Sequence, residues 1–153
     1  MQANALRQNW AKPLRHRGWT LSELLVALAL MATLAALALP SFTQQQRQSR
    51  RADARQALQQ IQLEQARWLG QHAQYASDLG SLGWSSNRSA LGHYLITLEA
   101  ANDKGYTVKA TPLGAQAQDS ACSPMRLQLV DSAVLVLSSG ADPQTDPAKC
   151  WQP

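Results

Sequence analysis

The chain has 153 residues, room for one domain with an adequate but not large core. Its net charge of +4 and pI of about 9.4 look like those of a nucleic-acid binder. However, Arg7, Lys12, Arg15 and Arg17 all precede Gly18, in a stretch with no acidic residue. From Trp19 onward ten Lys or Arg stand against ten Asp or Glu, so a chain starting there is formally neutral and its composition supports no nucleic-acid partner.

Residues 1–18 are basic and carry no apolar periodicity. Leu24 to Leu39 then form an apolar run broken only by Thr33. As a helix this run is roughly 24 Å long, against about 20 apolar residues for a full span. Three readings compete. A secretory signal peptide would use Ala36-Leu37-Ala38 as its small-residue cleavage site. A plain signal anchor would need help from Trp19, Leu21 and Phe42. The third reading starts from Glu23, at the edge of the apolar run. An acid near membrane depth costs on the order of 2–3 kcal/mol and is usually partnered, and neither a signal peptide nor an anchor has an evident use for it.

Gly18-Trp19-Thr20-Leu21-Ser22-Glu23 resembles the cleavage motif of type IV prepilins. The resemblance implies a cut after Gly18 by a dedicated peptidase on the cytoplasmic side and methylation of the new amine of Trp19. It also implies that Glu23 pairs with the N-terminal amine of a neighbouring subunit during assembly. Two charges that are costly apart in an apolar medium become tolerable together, and their pairing sets subunit register. Lys12, Arg15 and Arg17 match the basic leader that stays in the cytoplasm. Trp19 is a departure, since most members have Phe or Met there, and the 18-residue leader is longer than many. Arg47, Arg50, Arg51 and Arg55 follow the apolar run, so charge asymmetry alone does not orient the segment; the motif does.

Pro40 stands where pilins commonly carry a proline, which implies a kink within a continuing helix rather than its end. Ser41 to Gly70 is helix-permissive. Ala54, Ala57, Leu58, Ile61, Trp68 and Leu69 fall on one arc, with Gln65 as the polar exception and Leu63 on the opposite side. A helix from Thr20 to Gly70 would measure roughly 75 Å. Asp78 to Ala90 reads as the loop joining this helix to a sheet. Four strands are predicted, Tyr94–Leu98, Tyr106–Ala110, Met125–Val130 and Ala133–Leu137. Asn102–Gly105 and Asp131-Ser132 serve as hairpin connections.

Cys122 and Cys150, both beyond the apolar run, suggest a disulfide in an exported domain. They lack CxxC spacing and a nearby His, so a metal site is not expected. The positions Tyr75, Asp78-Leu79, Leu82-Gly83, Gly105-Tyr106-Thr107-Val108, Ala110-Thr111-Pro112, Gly114-Ala115-Gln116, Asp119, Cys122 and Cys150-Trp151 resemble the body of PilE-type minor pilins. That resemblance covers most of residues 18–151 and implies a C-terminal loop bounded by the two cysteines at the variable outer surface. No active site is apparent: His16, His72 and His93 are isolated, and no serine sits in a nucleophile motif. Neither cofactor nor metal is expected.

The expected fold class is α+β, a long N-terminal helix packed on a four-stranded antiparallel sheet. The expected organisation is a leader at 1–18, a membrane and filament-core helix at 19–42, and a periplasmic then extracellular head at 43–153. The expected function is that of a minor pilin in a surface filament supporting adhesion, motility or DNA uptake. Its partners would be other pilins, the prepilin peptidase, the assembly machinery and the inner membrane. The alternatives are a type II secretion pseudopilin and an anchored or secreted binding domain unrelated to filaments.

Overall fold

The computed structural model describes residues 18–141 and 148–152. The expected leader, except Gly18, and residues 142–147 of the cysteine-bounded loop lie outside the described residues. The chain divides between Leu39 and Pro40 into two units, taken here in turn.

In the first unit, helix α1 (Leu21–Leu69) begins after three non-helical residues, Gly18 to Thr20. From Leu21 to Leu39 every large apolar side chain is at least half exposed, from 51% at Leu24 to 79% at Leu37. Among the described residues no packing covers these large apolar side chains. α1 is long and apolar enough here to cross a membrane. Thr33, its one polar interruption, turns its hydroxyl back to the Leu30 carbonyl at 2.8 Å, so the apolar surface carries no unpaired hydroxyl.

In the second unit, α1 continues from Pro40 and is followed by strands β1 (Tyr94–Ala101), β2 (Tyr106–Pro112), β3 (Met125–Val130) and β4 (Val134–Ser139), then the short helix α2 (Ala148–Trp151). The strands form one antiparallel meander in the order β1-β2-β3-β4. Ala54, Ala57, Leu58 and Ile61 of α1 are buried against Tyr94, Ile96, Tyr106, Val108, Ala110, Met125 and Leu127 of the sheet. The alternation in β2, with Tyr106, Val108, Ala110 and Pro112 in and the residues between them half out, is the period-2 pattern of a sheet with one covered face. The expected α+β fold is therefore the observed one. Its details differ from the predicted bounds. β1 runs past Leu98 to Ala101, with a register shift between Leu98 and Ala100, and β4 is displaced by one to two residues.

Gln65 faces the core, fully buried, and grips Ala76 in both directions: its amide donates to the carbonyl and its oxygen accepts the N–H, each at 2.9 Å. Trp68 is only half-buried, stacked face to face on His72 at 3.6 Å. Leu63 is exposed.

Candidate functional site: the helix start and the disulfide loop

Three features gather the residues that sequence reasoning singles out. The first is the start of α1. Gly18, Trp19 and Thr20 are non-helical and exposed. Thr20 Oγ1 accepts the Glu23 N–H at 3.2 Å, while Glu23 Oε2 accepts the Thr20 N–H at 3.0 Å and lies 3.2 Å from the Thr20 hydroxyl. This reciprocal arrangement is a capping box, which satisfies two orphan N–H groups at the helix end. Glu23 thus has a local use that the sequence reading overlooks, although the Thr-x-x-Glu spacing signals it. The Gly18–Trp19 peptide bond lies just outside the helix, and Glu23 is held at the first turn by its own chain.

The second feature is Pro40, inside α1 with Thr43 Oγ1 bonded to its carbonyl at 2.9 Å. A proline inside a helix removes one backbone hydrogen bond and crowds the carbonyl four residues before it.

The third is the surface around Cys122 and Cys150, which are joined by a disulfide. Arg47, Arg51 and Arg55 lie four residues apart on α1, so they form one stripe. Arg51 makes a two-pronged contact with Asp119, at 2.7 and 2.9 Å, and reaches the Lys149 carbonyl. Arg55 donates to the Trp151 carbonyl at 2.8 Å, and Arg47 to Gln118 at 2.7 Å. Buried Gln116 links the Arg47 carbonyl, the Tyr94 hydroxyl and Asp119. Trp151 in turn donates from its indole to the Ser138 carbonyl at 3.1 Å. Two of the four arginines that blur the charge asymmetry around the apolar run, Arg51 and Arg55, thus bind the C-terminal segment to the helix. Their four-residue spacing is the signal available in the sequence.

Asp53, buried on α1, accepts from the Ser89 hydroxyl at 2.6 Å and from the N–H groups of Leu91 and His93 at 3.1 and 3.2 Å. It shapes the approach to β1, a role that an acid within an apolar helical arc foreshadows. Burial pushes the Tyr94 and Tyr106 hydroxyls up to about 12. Asp78 is held below the usual carboxylate range by the hydroxyl and N–H of Ser81. Among the described residues no group of three or more His, Cys, Asp or Glu is placed to hold a metal ion.

Two family models match the chain. One, described as the prokaryotic N-terminal methylation motif, matches residues 14–39. The other, described as type IV minor pilin ComP, DNA uptake sequence receptor, matches residues 40–126, more than half of the chain. No curated protein matches it.

Proposed function

Because the chain belongs to the type IV minor pilin ComP family, we propose that its residues 19–42 hold it in the inner membrane, with the head at 43–153 periplasmic, until it is drawn into a surface filament. As a minor pilin it is a structural subunit of the pilus. In this reading the prepilin peptidase cuts between Gly18 and Trp19, the new amine of Trp19 is methylated, and Glu23 meets the amine of a neighbour. The observation that supports it is the juxtaposition in the first unit: an exposed Gly18–Trp19 bond just before the helix, a capped acid and a run of large apolar side chains at least half exposed among the described residues. Burial against lipid and burial against neighbouring helices are similar environments, so one surface serves as anchor and filament core. The match over residues 40–126 favours a pilus subunit over a secretion pseudopilin.

Glu23→Ala tests the assembly step. Precursor, trimmed membrane form and sheared filament form are quantified, with N-terminal sequencing of the trimmed form. The expected outcome is a mature start at Trp19, normal trimming, and a filament fraction reduced roughly tenfold or more, since a neighbour's amine would lie in an apolar core without a carboxylate. Unchanged incorporation would remove Glu23 from assembly, and a start at Leu39 would replace the pilin pathway with secretion.

A second reading concerns what the head does at the surface. The matched description names a DNA uptake sequence receptor, and the match lies on the head rather than on the shared N-terminus. We infer that this head contacts DNA, which assigns the filament to DNA uptake rather than to adhesion alone. Full-length chain in detergent should bind duplex DNA in fluorescence anisotropy; no binding at low salt would refute it.

A further inference from the structure

We propose that the cleft beside the last turns of α1 is a saccharide-binding site, a role that neither filament assembly nor DNA contact requires. A cavity of about 340 Å³ is lined by Glu64, Arg67, Trp68, Gln71, Ser81 and Leu82, within the size range of small-molecule sites. A second cavity of about 230 Å³ shares its Glu64 wall and is lined further by Trp84, Ser85 and Ser86.

The sequence brings these groups together from two directions. Glu64, Arg67 and Trp68 stand at i, i+3 and i+4 of α1, on one face of the helix, and Gln71 follows just past its end. Ser81, Leu82 and Trp84 come from the loop that leads to β1. Leu82 and Trp84 pack against the core, which fixes the loop wall.

Parts of both walls are set before any ligand arrives. Glu64 accepts the Gln60 amide at 2.9 Å on one carboxylate oxygen and the Trp84 indole N–H at 2.6 Å on the other. Each oxygen therefore keeps a further lone pair. His72 Nδ1 lies 2.9 Å from the Trp68 carbonyl, and a carbonyl only accepts, so Nδ1 donates. This bond and the parallel stack of the two rings at 3.6 Å hold the indole of Trp68 in one plane. Arg67 and Gln71 are exposed and add a fork of donors and an amide.

The lining selects the ligand class. Glu64 and Arg67 balance each other in the larger cavity, so neither a cation nor a phosphate gains much by entering. A purely apolar ligand would leave the carboxylate, guanidinium and amide without partners. A pyranose ring answers the whole lining. Its C–H face lies against an indole, while its hydroxyls, each donor and acceptor, bond the carboxylate, the guanidinium and the amide. Two cavities with one shared wall suit two linked rings.

The test titrates the full-length chain, in a detergent without a sugar headgroup, with lactose, cellotriose and chitotriose, read by saturation-transfer NMR. At least one should bind saturably, in the millimolar range or tighter, with transfer concentrated on the C–H protons of one ring face. Trp68→Ala should weaken it by roughly tenfold or more. Gln71→Ala, at an exposed position outside the helix, should weaken it in the same direction and decides the matter if the tryptophan variant does not fold. Lys109→Gln on β2 should leave it unchanged. None of these results bears on trimming, filament incorporation or DNA binding, so the readings fail separately. Saturable binding by none of the sugars overturns the proposal, as does binding that survives both cleft variants. Displacement of the sugar by excess inorganic phosphate would make the cleft an anion site and overturn it too.

Discussion

Gly105 shows how much a single position can carry. A side chain there would meet the Leu129 carbonyl oxygen at 2.0 Å and its carbon at 2.9 Å, because the β1–β2 connection lies directly against β3. Neighbouring bonds lock this approach: Asn102 Oδ1 accepts the N–H groups of Lys104 and Gly105 at 2.8 and 2.9 Å, and the Lys104 carbonyl accepts the Ser132 N–H at 2.6 Å. Gly105→Ala should destabilise the head by about 1–3 kcal/mol through forced backbone displacement, read by chemical denaturation; an unchanged midpoint would mean that the strands yield freely. The sequence marks Gly105 as a turn residue, but not as a contact residue, because the clash involves a strand 24 positions away. Gln65 is obscure in the sequence for the same reason. An amide in an apolar arc looks like an exception until the loop backbone it satisfies is in place.

At the scale of elements, the C-terminal segment is attached twice. The disulfide closes a loop across 28 positions, worth about 3.5 kcal/mol in the chain-entropy model. Independently of it, Arg51, Arg55 and Trp151 bind the segment to α1 and β4. Replacing Cys122 and Cys150 with Ser should therefore lower stability by about 3 kcal/mol yet leave α2 docked, with proteolytic release of the terminus appearing only when Arg55→Ala is added. Release in the serine variant alone would show the guanidinium contacts to be incidental. Cysteine count and export suggest the covalent link from sequence. The polar latch is hidden there, because its partners are backbone carbonyls that any sequence supplies.

For the whole molecule, titration gives a direct check on the core. Tyr94 and Tyr106 are raised from 10.0 to about 12 by burial, so the folded state holds protons that the unfolded chain has already released. Stability is unaffected by these groups below about pH 10 and should fall as pH rises from there towards about 12. Replacing both with Phe should flatten that fall in a base-unfolding curve, whereas an unaltered curve would place the transition elsewhere. Charge teaches a related lesson. Formal neutrality after Gly18 argues against a polyanionic partner, but a sum over residues carries no information about faces, and the sheet sets Lys109 directly opposite Arg126. What the sequence determined by itself is what short-range order encodes: the apolar run, the motif before it, the helical arc, the alternating strands and hence the α+β class. Tertiary structure alone decided which polar groups meet, because Asp53, Gln65, Gln116 and the arginine stripe find partners 11 to 98 positions away. Such pairs follow from packing geometry: a local period places the arginines on one face of the helix but does not record which groups they meet.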